Sequence, residues 1–210
     1  MAEPMHEGYR WQHATHSISH AYLLPALLYE LESLSPKQMR IFELGSGNGS
    51  IANLLTGKGW DVTGVDPATE GISQAQVHYP HIKLAVGSSN DDLATEYGQF
   101  PIVISLEVVE HVYAPRHFAA TLYSLLEPGG TAIISTPYHG YLKNLALAIT
   151  GKMDQHFTAL WDHGHIKFWS RQTLSDLLCR AGFQSIRFVR IGRIPAMAKS
   201  MIAIAKRPKL

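Results

Sequence analysis

Short apolar runs alternate with amphipathic stretches over most of the chain. The apolar runs are typical of buried strands, and the stretches between them carry apolar residues at helical spacing. Strands are expected at 40–44, 60–66, 82–86, 100–106, 131–136, 185–191 and 200–205, and helices at 21–34, 50–58, 115–126 and 171–181, with a further helix beginning near Thr69. This alternation predicts a parallel α/β sheet with right-handed crossovers.

The last two expected strands are joined by only a short link. Because parallel neighbours need a long crossover, the final strand is predicted to run antiparallel at or near the sheet edge. The fifth strand is expected to follow a turn at 127–130, where Pro128, Gly129 and Gly130 stop the preceding helix. In such sheets ligands bind beyond the carboxyl ends of the strands.

A glycine-rich segment over 43–49 ends the first expected strand and opens the next helix. Its glycines allow a tight turn and a close approach to a ligand, and Asp66 follows at the tip of the second strand, where a carboxylate can accept ribose hydroxyls. The loop lacks the Lys-Ser/Thr of a phosphate-binding P-loop and departs from Gly-x-Gly-x-x-Gly. The Glu43 carboxylate suits a cofactor that carries an amino group better than it suits a pyrophosphate.

Three further segments, at 105–112, 126–130 and 133–137, follow this loop and Asp66 in order. Together they resemble class I S-adenosylmethionine-dependent methyltransferases, nearest to the ubiquinone-biosynthesis O-methyltransferase type. The resemblance implies an α/β, Rossmann-like fold with a seven-stranded, mostly parallel sheet, an antiparallel C-terminal strand and helices on both faces. One domain is expected over 1–210: a helical cap (1–35), a cofactor-binding half (36–136), a lid insertion (137–169) and a C-terminal part (170–210).

The resemblance also implies which residues hold S-adenosylmethionine, whose product is S-adenosylhomocysteine. The implied cofactor-binding residues are Glu43, Gly45, Ser46, Gly47, Asn48, Gly49, Asp66, Pro67, Ser88, Ser89, Leu106 and Glu107. The sequence departs from the family after the third strand, where an acidic residue often meets adenine. Here Gly87 is followed by Ser88, so the adenine contact stays open among Ser88, Ser89 and Asp91.

Histidines supply the candidate bases for an acceptor that must lose a proton. His111, His139 and His165 are the catalytic candidates, although His111 also fits a structural capping role. The substrate-binding candidates are Tyr9, Trp11, His16, His20, Tyr138, Trp161 and His163. Eight of the twelve histidines fall within 1–20 and 137–169, which places them on the acceptor side of the pocket. No compact ligand motif is present, so no metal site is predicted.

The 137–169 segment is too long for a simple connection and is expected to be a lid. A short apolar helix is predicted at 141–149, either packed on the domain or forming an apolar substrate tunnel or a peripheral membrane contact. The chain is therefore expected to methylate an oxygen or nitrogen of a small-molecule acceptor, which is apolar or aromatic. The alternatives are a cofactor-binding regulatory or scaffold protein without turnover, and an NAD-dependent oxidoreductase, which would have Gly rather than Ser at position 50.

The amino-acid composition limits the expected binding partners and the expected cellular compartment. The 210 residues contain 18 Lys and Arg against 17 Asp and Glu, which argues against a nucleic-acid partner. The one cysteine excludes internal disulfides and thiolate metal clusters, in keeping with a cytoplasmic protein. No signal peptide is evident, and no apolar run reaches the ~20 residues that span a bilayer.

Overall fold

The computed structural model describes residues 18–34, 40–162 and 164–209. Its strands are β1 Arg40–Leu44, β2 Asp61–Asp66, β3 Lys83–Val86, β4 Phe100–Leu106, β5 Leu126–Pro137, β6 Gln184–Ile191 and β7 Ser200–Lys206. Its helices are α1 Ile18–Glu32, α2 Ser50–Gly57, α3 Thr69–His78, α4 Leu93–Tyr97, α5 Pro115–Ser124, α6 Tyr141–Ile149, α7 Met153–Phe157 and α8 Arg171–Arg180, with a 3₁₀ turn at Pro195–Met197.

The seven strands form one sheet in the order β3-β2-β1-β4-β5-β7-β6. Neighbours from β3 to β5 pair in parallel, whereas β7 runs antiparallel to both β5 and β6. The final strand therefore lies one position inside the edge, between β5 and β6. The strand order reverses between β1 and β4, which places a ligand crevice beyond the carboxyl ends of these two strands.

Both faces of the sheet are covered by helices. Successive strand residues point to opposite faces, so Phe42 packs in one cluster with Phe118 of α5, while Ile41 packs in the other with Leu27 of α1. All seven residues of β4 are buried, as expected for a central parallel strand. The predicted Rossmann-like fold class is confirmed.

The prediction of a turn at 127–130 ahead of the fifth strand is wrong. β5 already begins at Leu126, which pairs with Phe100, and regular pairing resumes only at Ile102 opposite Thr131. Residues 127–130 thus form a bulge in the strand. The backbone N–H of Gly129 in this bulge donates to the carbonyl of Arg207, just beyond β7, at 3.0 Å.

Two five-residue helices, α4 and α7, were not expected from the sequence, because one turn is too short to show a helical period. The helix predicted at 141–149 is confirmed as α6. Within the described ranges, no helix is long and apolar enough to cross a membrane.

Candidate active site

The glycine loop turns the chain from β1 into α2 at the reversal of strand order. Gly45, Gly47 and Gly49 all have positive φ, at 90°, 52° and 73°. A Cβ at Gly45 would lie 2.3 Å from Cγ2 of Val108. Only glycine fits this position, since the backbone conformation and the neighbouring valine both exclude a side chain.

Asp66 ties this loop to the start of α3. Its Oδ2 accepts the N–H of Gly47 and its Oδ1 accepts the N–H of Ala68, each at 2.8 Å. Burial raises the pKa of Asp66, and the two backbone hydrogen bonds oppose that shift. Each carboxylate oxygen retains a further lone pair for a ligand hydroxyl. Asp66 thus holds the glycine loop that precedes α2 and the turn that precedes α3, and it keeps acceptor capacity toward the crevice.

Glu43 is a buried carboxyl group on β1 directly below the loop. Burial raises the pKa of Glu43 well above its ordinary value, and the charge of Asp66 raises it further. Its Oε2 has no hydrogen-bond partner among the described residues. A buried carboxyl oxygen is costly to leave unpaired, so this atom fits the ammonium group of a bound cofactor.

The loop after β3 is organised by Asp91. Its Oδ2 accepts the N–H of Ser88 at 2.7 Å, while the Ser89 carbonyl accepts the hydroxyl of Thr121 at 2.8 Å. Ser88 and Ser89 are half-buried and Pro67 is exposed. The adenine contact among Ser88, Ser89 and Asp91 stays a prediction.

Leu106 is buried at the end of β4, and Glu107 follows it in the left-handed region with φ 55°. Ser135 of β5 holds this unusual backbone, because its Oγ accepts the Glu107 N–H at 3.0 Å and donates to Oε1 at 2.8 Å. Burial raises the pKa of Glu107 to about 7, while the Ser135 hydrogen bond and the charge of Lys143 oppose the rise. Strained backbone of this kind is concentrated at functional sites.

Glu110, His111 and His165 meet beside this turn. Oε1 of Glu110 lies 4.0 Å from Nε2 of His165, and the two imidazole rings lie 4.9 Å apart. Each of the three residues offers one ligand atom, and these atoms all lie within 4.8 Å of one another. The carbonyl of Gly164 lies 3.2 Å from His111 Nδ1, as an outer partner of a metal-bound imidazole would. This group could hold a divalent cation, so the expectation of no metal site stays a prediction.

His139 lies in a neighbouring pocket built largely by the lid. The pocket has a volume of about 470 Å³ and is lined by His139, Asn144, Phe157, Ala159, His165 and Phe168. The His139 ring stacks on Phe157 at 5.8 Å and meets Phe168 edge-on at 5.0 Å. Burial lowers the pKa of His139 to about 4, assisted by the charge of Lys143, and burial also lowers the pKa of His165 to about 4. Both rings are therefore neutral near pH 7.

The structure brings together several residues that the sequence singled out, and leaves others aside. Trp161 packs against the rings of His111 and His165 at the rim of the pocket. The side chain of Tyr138 is buried, with its hydroxyl against the backbone of Gly140 at the start of α6, and its carbonyl accepts a hydrogen bond from Lys143. Tyr9, Trp11, His16 and His163 lie outside the described residues, as does the side chain of His20.

Four residues in this region were missed: Tyr22, Glu110, Ser135 and Lys143. Lys143 had a visible signal, because it is a lone charge within the apolar run 141–149. Tyr22 had none, since only the packing of α1 brings its hydroxyl to 3.2 Å from Ser200 and close enough for Glu107 to help raise its pKa.

A glycine loop at the β1–β4 reversal, an acidic residue ending β2 and an antiparallel strand between β5 and β6 together form the arrangement expected of a Rossmann-like methyltransferase domain. The family described as "Methyltransferase domain" matches residues 12–187, and the chain belongs to it. The resemblance inferred from the motifs is thereby confirmed.

The relatives include two curated ubiquinone biosynthesis O-methyltransferases. That of Roseobacter denitrificans is 33% identical over 162 residues, which cover 75% of this chain and 65% of the relative. That of Cereibacter sphaeroides is 31% identical over 152 residues, which cover 70% and 61%. The chain thus spans less than two thirds of the length of these relatives.

Among solved structures, an S-adenosylmethionine-dependent methyltransferase from Archaeoglobus fulgidus superposes with a TM-score of 0.67 at 17% identity. The match covers 88% of this chain and 93% of that one. At this level of identity the likeness shows the fold alone.

Proposed function

We propose that this protein transfers the methyl group of S-adenosylmethionine to a hydroxyl oxygen of a small apolar or aromatic acceptor. The observation that carries the proposal is the pocket of about 470 Å³ beside the ends of β4 and β5, with a neutral His139 ring set among phenylalanines. The proposed oxygen acceptor agrees with the names of the relatives, which are O-methyltransferases.

The cofactor would be held by the glycine loop and two carboxyl groups. The unpaired Oε2 of Glu43 fits the ammonium of the methionine end, and Asp66 fits the ribose hydroxyls. When bound, S-adenosylmethionine supplies a methyl group on a positively charged sulfur that is ready for in-line displacement. The main task of the protein is to align the two partners and to exclude water.

His139 is suited to accept the proton that the acceptor hydroxyl gives up. Its ring is neutral at pH 7, and the residue lines the pocket in which the acceptor would lie. His165 lines the same pocket but also faces Glu110, in the group that could hold a cation. His139 is therefore the better candidate for the base.

The pocket lining favours a neutral acceptor over an amine. An alkyl amine is a cation at pH 7, and none of the described residues that line the pocket is a carboxylate. Phenylalanine and histidine rings instead offer flat, apolar contacts of the kind that suit aromatic acceptors.

A bilayer contact through the 137–169 segment is part of the same proposal. Tyr141, Leu142, Leu145 and Ile149 are all exposed and share about a third of the circumference of α6. Residues 137–210 carry twelve Lys and Arg against three Asp, which suits an anionic surface. Leu145→Ser with Ile149→Ser should lower co-sedimentation with phosphatidylglycerol vesicles, whereas Val77→Ser, an equally exposed apolar position on α3, should not. Equal loss in both variants would contradict the contact.

The acceptor class is tested with methyl-labelled S-adenosylmethionine and paired acceptors that differ only in carrying a hydroxymethyl or an aminomethyl group on the same ring, because the aminomethyl group is a cation at pH 7. S-Adenosylhomocysteine formation with the hydroxyl members is expected, and His139→Ala should reduce it while the exposed His78→Ala does not. Methylation of the amines alone would refute the oxygen proposal. Cofactor binding without turnover on any acceptor would favour the regulatory alternative, and absence of binding would refute both.

A further inference from the structure

Lys143 is a buried cation in the lid helix α6. The residue is 7% exposed, and its Nζ donates to the carbonyl of Tyr138 at 2.8 Å and to the carbonyl of Lys199 at 3.5 Å. These carbonyls lie where β5 ends and β7 begins, and they are themselves linked because the Tyr138 N–H donates to Lys199 at 3.0 Å. A methionine would cover the same apolar surface without the cost of burying a charge, so packing alone does not explain a lysine here.

The two hydrogen bonds around His139 lie on one peptide unit. The carbonyl of Tyr138 accepts from Lys143, and the N–H of His139, on the same planar group, donates to the carbonyl of Trp169 at 3.0 Å. The peptide plane that precedes His139 is therefore held at both ends. This fixes the direction in which the His139 side chain leaves the backbone, toward Phe157 and Phe168.

The charge of Lys143 also acts on the pocket. It lowers the pKa of His139 and that of His156, and it opposes the rise in the pKa of Glu107. Burial, with Arg193 as a like charge, lowers the pKa of Lys143 itself to about 8. The other groups that act on His139 are Asn144 of α6, which favours its protonation, and His156 and His165, which oppose it.

We propose that Lys143 is a positioning residue for methyl transfer: its ammonium clamps the peptide before His139 and presents the imidazole to the acceptor hydroxyl. The inference rests on the proposed function, with His139 as the proton acceptor. In the step itself, the hydroxyl proton passes to the His139 ring, the new O–CH₃ bond forms, and the S–CH₃ electron pair stays with sulfur. Lys143 keeps all three of its protons throughout.

Three substitutions separate the roles of the lysine. Lys143→Met removes the charge and both hydrogen bonds, Lys143→Gln keeps a donor without the charge, and Lys143→Arg keeps both in a longer side chain. Lys152→Met is the matched control, because it removes an exposed lid charge that lies outside the clamp.

In Lys143→Met we expect kcat/KM for the acceptor to fall about 10- to 100-fold, as for a misplaced catalytic base. The dissociation constant for S-adenosylhomocysteine should stay within about twofold, the experimental scatter of a binding constant. Lys143→Arg should recover part of the loss. An unchanged acceptor kcat/KM in Lys143→Met, or an equal loss in the Lys152→Met control, would overturn the proposal.

An NMR titration of the His139 ring provides a readout that needs no acceptor. Its midpoint should move up by about one pH unit in Lys143→Met and Lys143→Gln, the order that one neighbouring charge produces, and should stay in place in Lys143→Arg. An unmoved midpoint in a folded Lys143→Gln variant would refute the inference. If wild type methylates no acceptor but the midpoint moves, the proposed function fails while the electrostatic effect of Lys143 on His139 stands.

Discussion

Replacing Asp66 with Asn is the sharpest test of the glycine loop. The carboxylate accepts the N–H groups of Gly47 and Ala68, both at 2.8 Å. An amide accepts through its oxygen alone and turns its NH₂ toward the second donor, so one hydrogen bond is lost. Hydrogen bonds to charged groups contribute about 1.5–3 kcal/mol, and relief of the buried charge that raises the pKa of Asp66 offsets part of this. We expect the free energy of unfolding to fall by about 1–2 kcal/mol.

The same substitution should weaken cofactor binding, because the neutral amide is a poorer acceptor for two ribose hydroxyls. A loss of about 1–3 kcal/mol corresponds to a roughly 5- to 150-fold higher dissociation constant. Isothermal titration with S-adenosylhomocysteine measures the affinity, and urea unfolding of the same preparation measures the stability. Asp66→Ala should weaken binding by a similar amount.

Asp61→Asn is the matched control, since Asp61 begins the strand that Asp66 ends and is exposed beside Lys83 at 3.4 Å. A surface pair of this kind contributes about 0–1 kcal/mol, and no effect on cofactor affinity is expected. If Asp66→Asn binds S-adenosylhomocysteine as tightly as Asp61→Asn does, Asp66 does not contact the cofactor and the reasoning from the loop fails.

The remaining predictions concern the acceptor side. His139→Ala and His165→Ala should each lower turnover at least about tenfold, while the affinity for S-adenosylhomocysteine stays within about twofold. Full turnover in both variants would show that the lid is not part of the active site. The pKa of Glu107, raised to about 7, gives the fold a contribution to stability that is present below pH 4.5 and lost as the pH rises to about 7. Thermal unfolding from pH 5 to 8 should therefore depend less on pH in Glu107→Gln, and an identical slope would contradict that assignment. If Glu110, His111 and His165 form a cation site, chelation of divalent cations should lower turnover, and adding the metal back should restore it. Turnover that is insensitive to a chelator would agree with the prediction from the sequence that no metal site is present.

The cofactor half could be predicted well because its chemistry is local. The glycine loop, the place of Asp66 at the end of β2 and the alternation of strands with helices follow from short segments whose spacing sets their geometry. The bulge at 127–130 could not be found in this way, since the same proline and glycines also describe a turn. Its place within β5 depends on pairing with β4 and on Arg207, which is far away in sequence.

The acceptor half depends on long-range contacts and was predicted only in outline. The assignment of the histidines to the acceptor side stays a prediction, and nothing in the sequence shows that His139 meets Phe157 and Phe168 whereas His165 meets Glu110. The buried position of Lys143 was missed because a charged side chain on an amphipathic helix is expected to face solvent. Here the apolar face of α6 is exposed and its lysine is buried.

The far end of the lid is fastened to the cofactor half by backbone hydrogen bonds. The N–H groups of Ile166 and Lys167 both donate to the carbonyl of Glu110, and the carbonyl of Trp169 accepts the N–H of His139, which joins the two ends of the lid to each other. None of these bonds involves a side chain of the lid, so they would survive a change of lid sequence. Residues 144–162 can therefore be exchanged as a cassette between two fixed ends, with Lys143 kept in place. Acceptor choice can then diverge among related enzymes, and be redesigned, without rebuilding the cofactor site.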